Sequence, residues 1–283
     1  MRNAENKKHL IEFLYDQWQS DAYASHIGSL IMYDVCGEYC TKLQAMGNKV
    51  LSEPVPELYS SQEEADTRVI LHCTYATEHM SRQEVLCVRS PDTDVLVLLL
   101  YYVHLFLQTV YFDTGVGNKQ RLISVGPIAD ALGPAVVKAL PSFHAFTGAD
   151  CTSTFIGKGK RRTFKILTQS SSFTDAFYQL GESLENVSSE MLCNLQKYVC
   201  CMYGRPKMED GNKVRSVMFE SRYSKDLNSS NIGIDLSLLP LCASSLHLHI
   251  LRANYQCYVL NNAHKPYSDI PSPTQHGWVT DDA

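Results

Sequence analysis

Residues 85–94 read VLCVRSPDTD, a short apolar segment followed by a proline turn and two aspartates. An apolar run of this length before a turn signal is typical of a buried strand, so we predict a strand over 85–89. The proline suits the first turn of a helix, and the apolar run after it predicts a buried helix over 93–107, which is too short to span a bilayer. Asp92 and Asp94 therefore lie where a strand gives way to a helix.

The stretch SSQEEAD at residues 60–66 predicts the start of another helix. Ser60 or Ser61 can cap this helix, and Glu63 or Glu64, three residues later, can complete a capping box. A second group of acidic residues is thus expected at the boundary of a regular element.

A third acidic group lies in TGAD at residues 147–150, after a glycine turn. Two metal ions roughly 4 Å apart can activate water and stabilise the leaving oxygen in phosphodiester hydrolysis. Mg²⁺ and Mn²⁺ prefer oxygen ligands, mostly carboxylates. In an open α/β sheet such sites form beyond the carboxyl ends of the strands. The candidate metal ligands and catalytic residues are Glu64, Asp66, Asp92, Asp94 and Asp150.

Side-chain direction limits which of these carboxylates can meet. Residues two apart diverge on a helix but share one face of a strand. Glu64 and Asp66 can therefore converge only if their helix begins at about Ala65. Asp92 and Asp94 can converge if the backbone between them is still extended or just turning. The alternative for each group is structural, because acidic residues in a first helical turn stabilise the helix dipole and an aspartate after a glycine suits a turn.

The sequence IGKGKRR at residues 156–162 predicts a tight turn that leads into a helix. Glycines let backbone amides approach a phosphate, and a helix N-terminus favours an anion. Lysine and arginine add an attraction to phosphate that does not depend on base sequence. An ordinary solvated basic turn is the alternative. The candidate nucleic-acid-binding residues are Gly157, Lys158, Gly159, Lys160, Arg161 and Arg162.

Composition limits the class of protein. Of the 283 residues, 45% are hydrophobic and 19% are charged, so the chain can bury a core. The formal net charge of -5 is unfavourable for binding nucleic acid. However, metal-ligand carboxylates raise the acidic count, and bound cations would reverse the local field. Ten cysteines without a cationic and then apolar leader indicate reduced thiols in an intracellular protein. We expect DNA as the partner, no membrane, and the nucleus rather than the cytoplasm.

Hydrophobic periodicity predicts the other elements. Early in the chain we predict a helix over 6–20 and a hairpin of strands at 30–35 and 39–43. The strands further along alternate with helices, which indicates a parallel α/β sheet. The predicted strands there are 109–112 and 121–125, and the predicted helices are 127–132, 134–140, 160–169, 173–180, 189–203, 213–223 and 243–262.

The acidic motifs and the basic turn, taken in order, resemble the flap-endonuclease/XPG class of PIN-like nucleases. That class carries Glu-Ala-Glu at a helix start, Asp-x-Asp after a strand, and Gly-Ser-Asp before a helix–two-turn–helix with Gly-x-Gly-x-Lys-Arg. Within the class the chain looks most like a multiply copied animal branch, for which a mobile-element origin is a hypothesis. The resemblance covers about residues 55–170, and its motifs are Glu64-Ala65-Asp66, Asp92-Thr93-Asp94, Gly148-Ala149-Asp150 and Gly157-Lys158-Gly159-Lys160-Arg161.

This resemblance implies an α/β fold, a PIN-like three-layer domain with a mainly parallel sheet, followed by a helical C-terminal region. It implies hydrolysis of DNA at branched or 5′-ended structures with Mg²⁺ or Mn²⁺ as cofactor, and two ions if the site is active. The five candidate carboxylates would be the metal ligands. The glycines and lysines of residues 157–160 would hold the duplex backbone.

The chain departs from the family pattern at three places. Asp66 replaces the second glutamate, Ala149 replaces the serine, and nothing before Glu63 matches the family's first half, which supplies a first-strand aspartate. We therefore expect that an N-terminal portion is missing and that the chain is a poor catalyst. The alternative is a non-catalytic nucleic-acid-binding or protein-interaction module that keeps the fold.

The predicted organisation has four parts. An N-terminal helix and hairpin come first, then the nuclease-like core with its basic turn, a helical region and an extended polar tail. We expect His144 and Phe146, which precede the third acidic group, to be packing residues. The four parts are residues 1–59, 60–170, 171–265 and 266–283.

Overall fold

The computed structural model describes residues 4–62, 64–185, 187–226 and 235–278, with the backbone alone for 222–226. Over these described residues the chain is a mixed α/β protein with two three-stranded sheets. It divides into two compact units. The first unit is Met1–Ser81 with Ala263–Asp269, and the second is Arg82–Asn262 with Ile270–Ala283.

The first unit is built on an antiparallel sheet of order β1-β2-β3. The predicted early helix and hairpin are confirmed. The third strand was not predicted, because its alternation is weak and a proline ends it. The helices are α1 (Ala4–Trp18), α2 (Ala24–Ile27) and α3 (Ala65–His79), and the strands are β1 (Ile31–Cys36), β2 (Tyr39–Met46) and β3 (Lys49–Pro54).

Helix α3 begins later than the serine-capping prediction requires. Its N-cap is Glu64, in an extended conformation and without a side-chain capping hydrogen bond. The Ser60 hydroxyl instead accepts a hydrogen bond from the backbone N–H of Gln62 at 3.1 Å. The predicted serine cap is therefore wrong, because Ser60 forms a local turn ahead of the helix. Glu63 lies outside the described residues.

The buried Arg68 on α3 ties this helix to the surrounding loops. Its guanidinium donates to the carbonyl oxygens of Gly37, Glu38 and Leu58. The buried guanidinium needs such acceptors, since an unpaired charged group in a core is costly. One turn further on, His72 is half-buried, and its Nε2 atom has no hydrogen-bond partner among the described residues.

This environment of His72 predicts that the first unit loses folding stability in acid. Burial, with a smaller effect from the charge of Arg68, lowers the pKa of His72 to about 4. Because an unfolded histidine has a pKa near 6.5, the unfolded chain binds the proton first as pH falls. The stability that depends on neutral His72 is complete above about pH 6.5 and is lost between there and pH 4. We expect a loss of about 1–2 kcal/mol over that range.

Urea unfolding at pH 7 and pH 4.5, followed by Trp18 fluorescence with Trp278 replaced by phenylalanine, measures this loss. His72→Gln should reduce the pH dependence, and the exposed His79→Gln should leave it as in the parent. Equal pH dependence in all three proteins would contradict the assignment to His72.

The second unit contains the other sheet, of order β4-β5-β6. All three strands were predicted. Strands β4 and β5 are parallel, whereas β5 and β6 are antiparallel, so the sheet is mixed. The antiparallel pairing arises because β6 follows β5 through a short turn, without a crossover helix. The strands are β4 (Val85–Arg89), β5 (Thr109–Thr114) and β6 (Arg121–Ser124).

Helices make up the rest of the second unit. Helix α4 ends earlier than the predicted residue 107, because the chain forms a single tighter turn at Val103–Leu105 before it enters β5. Helix α6 extends beyond the predicted residue 140 and includes Pro141, since packing against α8 and α11 outweighs the lost backbone hydrogen bond. The helices so far are α4 (Thr93–Tyr102), α5 (Val125–Leu132) and α6 (Pro134–Thr147).

Five further helices confirm the predicted helical region. Their buried side chains, together with those of α6, form one core with a cluster of aromatic rings. None of the described helices is both long and apolar enough to cross a membrane. The five are α7 (Lys160–Leu167), α8 (Ser171–Gln179), α9 (Ser189–Met202), α10 (Gly211–Asp226) and α11 (Ala243–Asn261).

Candidate functional site

The N-terminus of α4 presents the first pair of candidate ligands. Asp92 is the N-cap, and its Oδ1 accepts a hydrogen bond from the backbone N–H of Asp94 at 3.0 Å. The Ser90 hydroxyl in turn accepts from the N–H of Asp92 at 3.1 Å. Both aspartates therefore lie just beyond the carboxyl end of β4, where α/β sheets form their sites. Asp92 also performs the capping role that was the structural alternative.

Asp94 contacts a buried histidine on α6. Its Oδ2 lies 2.9 Å from Nε2 of His144, and the His144 side chain is 6% exposed. This contact lowers the pKa of Asp94, against the opposing effect of the carboxylate's partial burial. The lowered pKa keeps the Asp94 carboxylate ionised beside the imidazole.

The other nitrogen of His144 contacts the basic turn. Nζ of Lys160 lies 2.7 Å from His144 Nδ1. Because a lysine ammonium can only donate hydrogen bonds, Nδ1 is the acceptor, and the ring hydrogen is then on Nε2, which contacts Asp94 by distance and charge but without hydrogen-bond geometry. Asp94, His144 and Lys160 form a continuous polar chain, which we call the Asp–His–Lys chain. It joins the start of α4, the last turn of α6 and the start of α7.

His144 is buried, as a packing residue is, but the sequence prediction missed its polar contacts with Asp94 and Lys160. A signal for its role was present in the sequence, since residues 139–147 of α6 carry only one ionisable side chain among buried neighbours. A buried imidazole requires polar partners. The partners, Asp94 and Lys160, could not be identified from the sequence alone, because one lies 50 residues before His144 and the other 16 residues after it.

Three carboxylates lie within electrostatic range of the Lys160 ammonium. The residue as a whole is exposed, but its ammonium is partly shielded, and this desolvation lowers the pKa of Lys160. The negative charges of Asp94, Asp92 and Asp150 act in the opposite direction and favour the charged form. Lys160 is therefore a counter-charge for the three second-unit candidate ligands.

Asp150 is exposed on the turn that follows α6. This turn is fixed by Thr152, whose hydroxyl donates to the carbonyl of Ala145 at 2.6 Å and accepts from the N–H of Ala149 at 2.9 Å. Gly148 has a φ of 118°, and a Cβ there would lie 2.2 Å from Cγ2 of Thr154. Only glycine fits this position, so the turn that carries Asp150 depends on it.

An open cleft of about 520 Å³ borders the basic turn, lined by residues 147–148 and 154–160. Gly159 is the N-cap of α7 and has no side chain to accept hydrogen bonds from the first helical turn. Arg161 and Arg162 are exposed in that turn. Lys158 lies with Nζ 4.0 Å from the centre of the Tyr203 ring. The turn thus offers a positively charged helix N-terminus beside an accessible cleft.

The two other candidate ligands belong to the first unit. Helix α3 begins at Ala65, as the convergence of Glu64 and Asp66 requires. Glu64 is exposed, and its carbonyl oxygen accepts hydrogen bonds from the backbone of Arg68 and the hydroxyl of Thr67. Asp66 is half-exposed in the first turn. The structure thus groups Asp92, Asp94 and Asp150 within one unit and places Glu64 and Asp66 in the other.

The donor chemistry of the second-unit aspartates fits a hard divalent ion, since carboxylate oxygens are the ligands of Mg²⁺ and Mn²⁺. Across the described ranges, however, no group of three or more histidine, cysteine, aspartate or glutamate side chains is arranged to hold a metal ion. The charges of Asp94, Asp92 and Asp150 instead favour the charged form of the Lys160 ammonium. Comparison with protein-family models, curated proteins and solved structures gave no match.

Proposed function

We propose that the second unit hydrolyses phosphodiester bonds in DNA and that it requires a divalent metal ion. One observation carries the proposal: the Asp–His–Lys chain joins the aspartates at the end of β4 directly to the glycine–lysine turn. A nuclease needs these two parts together, because the groups that act on the scissile phosphate must lie beside the groups that hold the neighbouring backbone.

Each side chain has a distinct task in this proposal. Asp92, Asp94 and Asp150 would hold the ion, which when bound supplies Lewis acidity and activates water. His144 contacts the Asp94 carboxylate in the position that outer partners of metal ligands take. The exposed Arg161 and Arg162 attract the phosphates of the duplex through charge.

The finer assignment, a PIN-like nuclease of the flap-endonuclease type, belongs to the same proposal. Its support is the order of motifs along the chain together with a parallel strand pair whose end carries Asp92 and Asp94. In this assignment the substrate is branched or ended DNA. Because the proposed substrate is DNA, we also propose the nucleus as the place of action.

A cleavage assay tests the proposal. Purified protein is incubated with flap, nicked and single-stranded DNA in the presence of Mg²⁺ or Mn²⁺, beside Asp94→Asn and the exposed control Asp175→Asn. We expect slow, metal-dependent cleavage of the structured substrates, because Lys160 competes for the carboxylates that must hold the ion. The rate should fall by about a hundredfold or more in Asp94→Asn and stay unchanged in Asp175→Asn.

Cleavage that persists in a chelator, or that Asp94→Asn leaves intact, would contradict the proposal.

A second candidate function, the binding of nucleic acid without catalysis, also has specific support. The observation in its favour is that the carboxylates already have a protein cation, Lys160, and form no three-ligand metal group among the described residues. In that case the wild-type protein should bind DNA without cleaving it. Asp94→Asn should bind DNA at least as tightly, because one repelling charge is removed.

A further inference from the structure

We propose that an exposed face of α1 binds a second copy of this chain, so that two α1 helices pair antiparallel about a two-fold axis. The inference concerns the first unit and does not depend on the proposed function. Three observations carry it: a continuous patch of exposed apolar side chains, separate contacts that already hold α1 on its own unit, and charges that favour an antiparallel copy.

Helix α1 exposes large apolar side chains on one face. Residues three and four apart lie side by side on a helix, so Leu10, Phe13 and Leu14 adjoin one another, and Ile11 borders Leu14. Single apolar side chains on a surface are ordinary, whereas a contiguous patch marks an interaction site. We call these four residues the α1 patch. Their exposed fractions are 41% for Leu10, 40% for Ile11, 57% for Phe13 and 44% for Leu14.

Other side chains of α1 hold the helix on its own unit. Tyr15 and Trp18 are half-buried, and α1 packs against β1. The Tyr15 hydroxyl is hydrogen-bonded to the hydroxyl of Thr41, and the Trp18 ring lies 5.3 Å from the Tyr23 ring. The α1 patch is therefore not needed to hold the helix in place, and a partner can bury it without rearranging the unit.

The charges of α1 favour an antiparallel second copy. Lys8 and Glu12 lie 3.8 Å apart within the helix and offset each other. Lys7 lies at the N-terminal end of the α1 patch and Asp16 at its C-terminal end, and both are exposed. An antiparallel copy brings each Lys7 level with Asp16 of the second copy, whereas a parallel copy would bring like charges together.

The α1 patch is also self-complementary in this arrangement. A two-fold axis through its middle places Leu10 opposite Leu14 of the second copy and Phe13 opposite Ile11 of the second copy. Helix α1 has 15 residues and is therefore about 22 Å long. Two helices of this length bury on the order of 1,000 Å², at the lower limit for a specific contact, so we expect a weak dimer with a micromolar dissociation constant.

Sedimentation equilibrium of the full chain, from low to high micromolar concentration, tests the inference. We expect the wild-type mass to rise toward that of two chains. Phe13→Glu should raise the dissociation constant by about a hundredfold or more, because a charge then lies at the centre of the contact. The matched control Val116→Glu places the same charge at an exposed apolar position of the second unit and should dimerise like the wild type.

Charge reversal tests the antiparallel order. Lys7→Glu should weaken the dimer about tenfold, because each introduced charge then lies near Asp16 of the second copy. Lys7→Glu combined with Asp16→Lys should regain the wild-type affinity. In a parallel dimer Lys7→Glu would leave the affinity unchanged, since like charges would face each other before and after the substitution.

Four results would overturn the inference, with each variant shown to be folded by circular dichroism. The first is a wild-type chain that stays monomeric at every concentration, and the second is a dimer that Phe13→Glu leaves intact. The third is a charge-reversed double variant that does not regain affinity. The fourth is a monomeric wild-type chain that sediments with phosphatidylserine vesicles, which would assign the α1 patch to a lipid surface although Glu12 and Asp16 oppose such binding.

Discussion

Replacing Lys158, Lys160, Arg161 and Arg162 by alanine is expected to weaken DNA binding on the order of a hundredfold near 0.1 M salt. The loss should be similar for duplexes of unrelated sequence, because contacts with phosphates position the protein and carry no base information. It should shrink at higher salt, where counterions compete.

The structure also predicts how the salt dependence changes. The slope of log affinity against log salt falls by about one for each lost phosphate contact. Arg161 and Arg162 are exposed, whereas Lys160 is hydrogen-bonded to His144 and Lys158 lies over the Tyr203 ring. We therefore expect the slope to fall by about two rather than four, since only the arginines reach phosphate without giving up another contact.

Fluorescence anisotropy over a salt series, with several unrelated duplexes, measures both quantities. The matched control removes the same number of lysines and arginines from exposed positions elsewhere in the second unit: Arg82, Lys119, Arg121 and Lys213. A loss that depends strongly on base sequence, or an equal loss in the control, would show that the turn does not hold the DNA backbone.

Phe177→Ala is expected to destabilise the second unit by about 4 kcal/mol, the cost of a large cavity in a closely packed core. The Phe177 side chain is fully buried. Its ring lies 4.9 Å from that of Tyr198 and 5.3 Å from that of Phe146, both edge-on. Phe146 and Phe143 flank His144 on α6, so this aromatic cluster supports the helix that holds the Asp–His–Lys chain.

Urea unfolding followed by Trp278 fluorescence, with Trp18 replaced by phenylalanine, measures this effect. The neighbouring Tyr178→Ala is the matched control, because its side chain is exposed, and it should cost less than about 1 kcal/mol. Equal destabilisation by the two substitutions would contradict the description of the core.

Local features of the structure could be predicted from the sequence. The predicted helices of the region after residue 160 are all present, since each carries its own apolar periodicity. The strand at 85–89, the aspartates beyond it and the glycine turn were also predicted, because β propensity and turn chemistry are properties of neighbouring residues. The start of α3 at Ala65 met the condition set for Glu64 and Asp66.

Features that depend on distant residues could not be predicted. The Asp–His–Lys chain joins residues 94, 144 and 160, and nothing in the local pattern around His144 identifies its two partners. The extent of α6 through Pro141 depends on packing against α8 and α11, which outweighs a local helix-breaking signal. The antiparallel pairing of β6 likewise depends on how the chain turns after β5.

The binding of a divalent metal ion by the second-unit aspartates is tested most directly by thermal melting with and without millimolar Mn²⁺. A ligand that binds only the folded state raises the melting temperature, by about 5 °C or more if the ion is present at a hundred times its dissociation constant. We expect this rise in the wild-type protein and in the exposed control Asp130→Asn with Asp175→Asn. Asp92→Asn with Asp94→Asn should abolish the rise, whereas an unchanged melting temperature of the wild-type protein in millimolar Mn²⁺ would contradict the metal site.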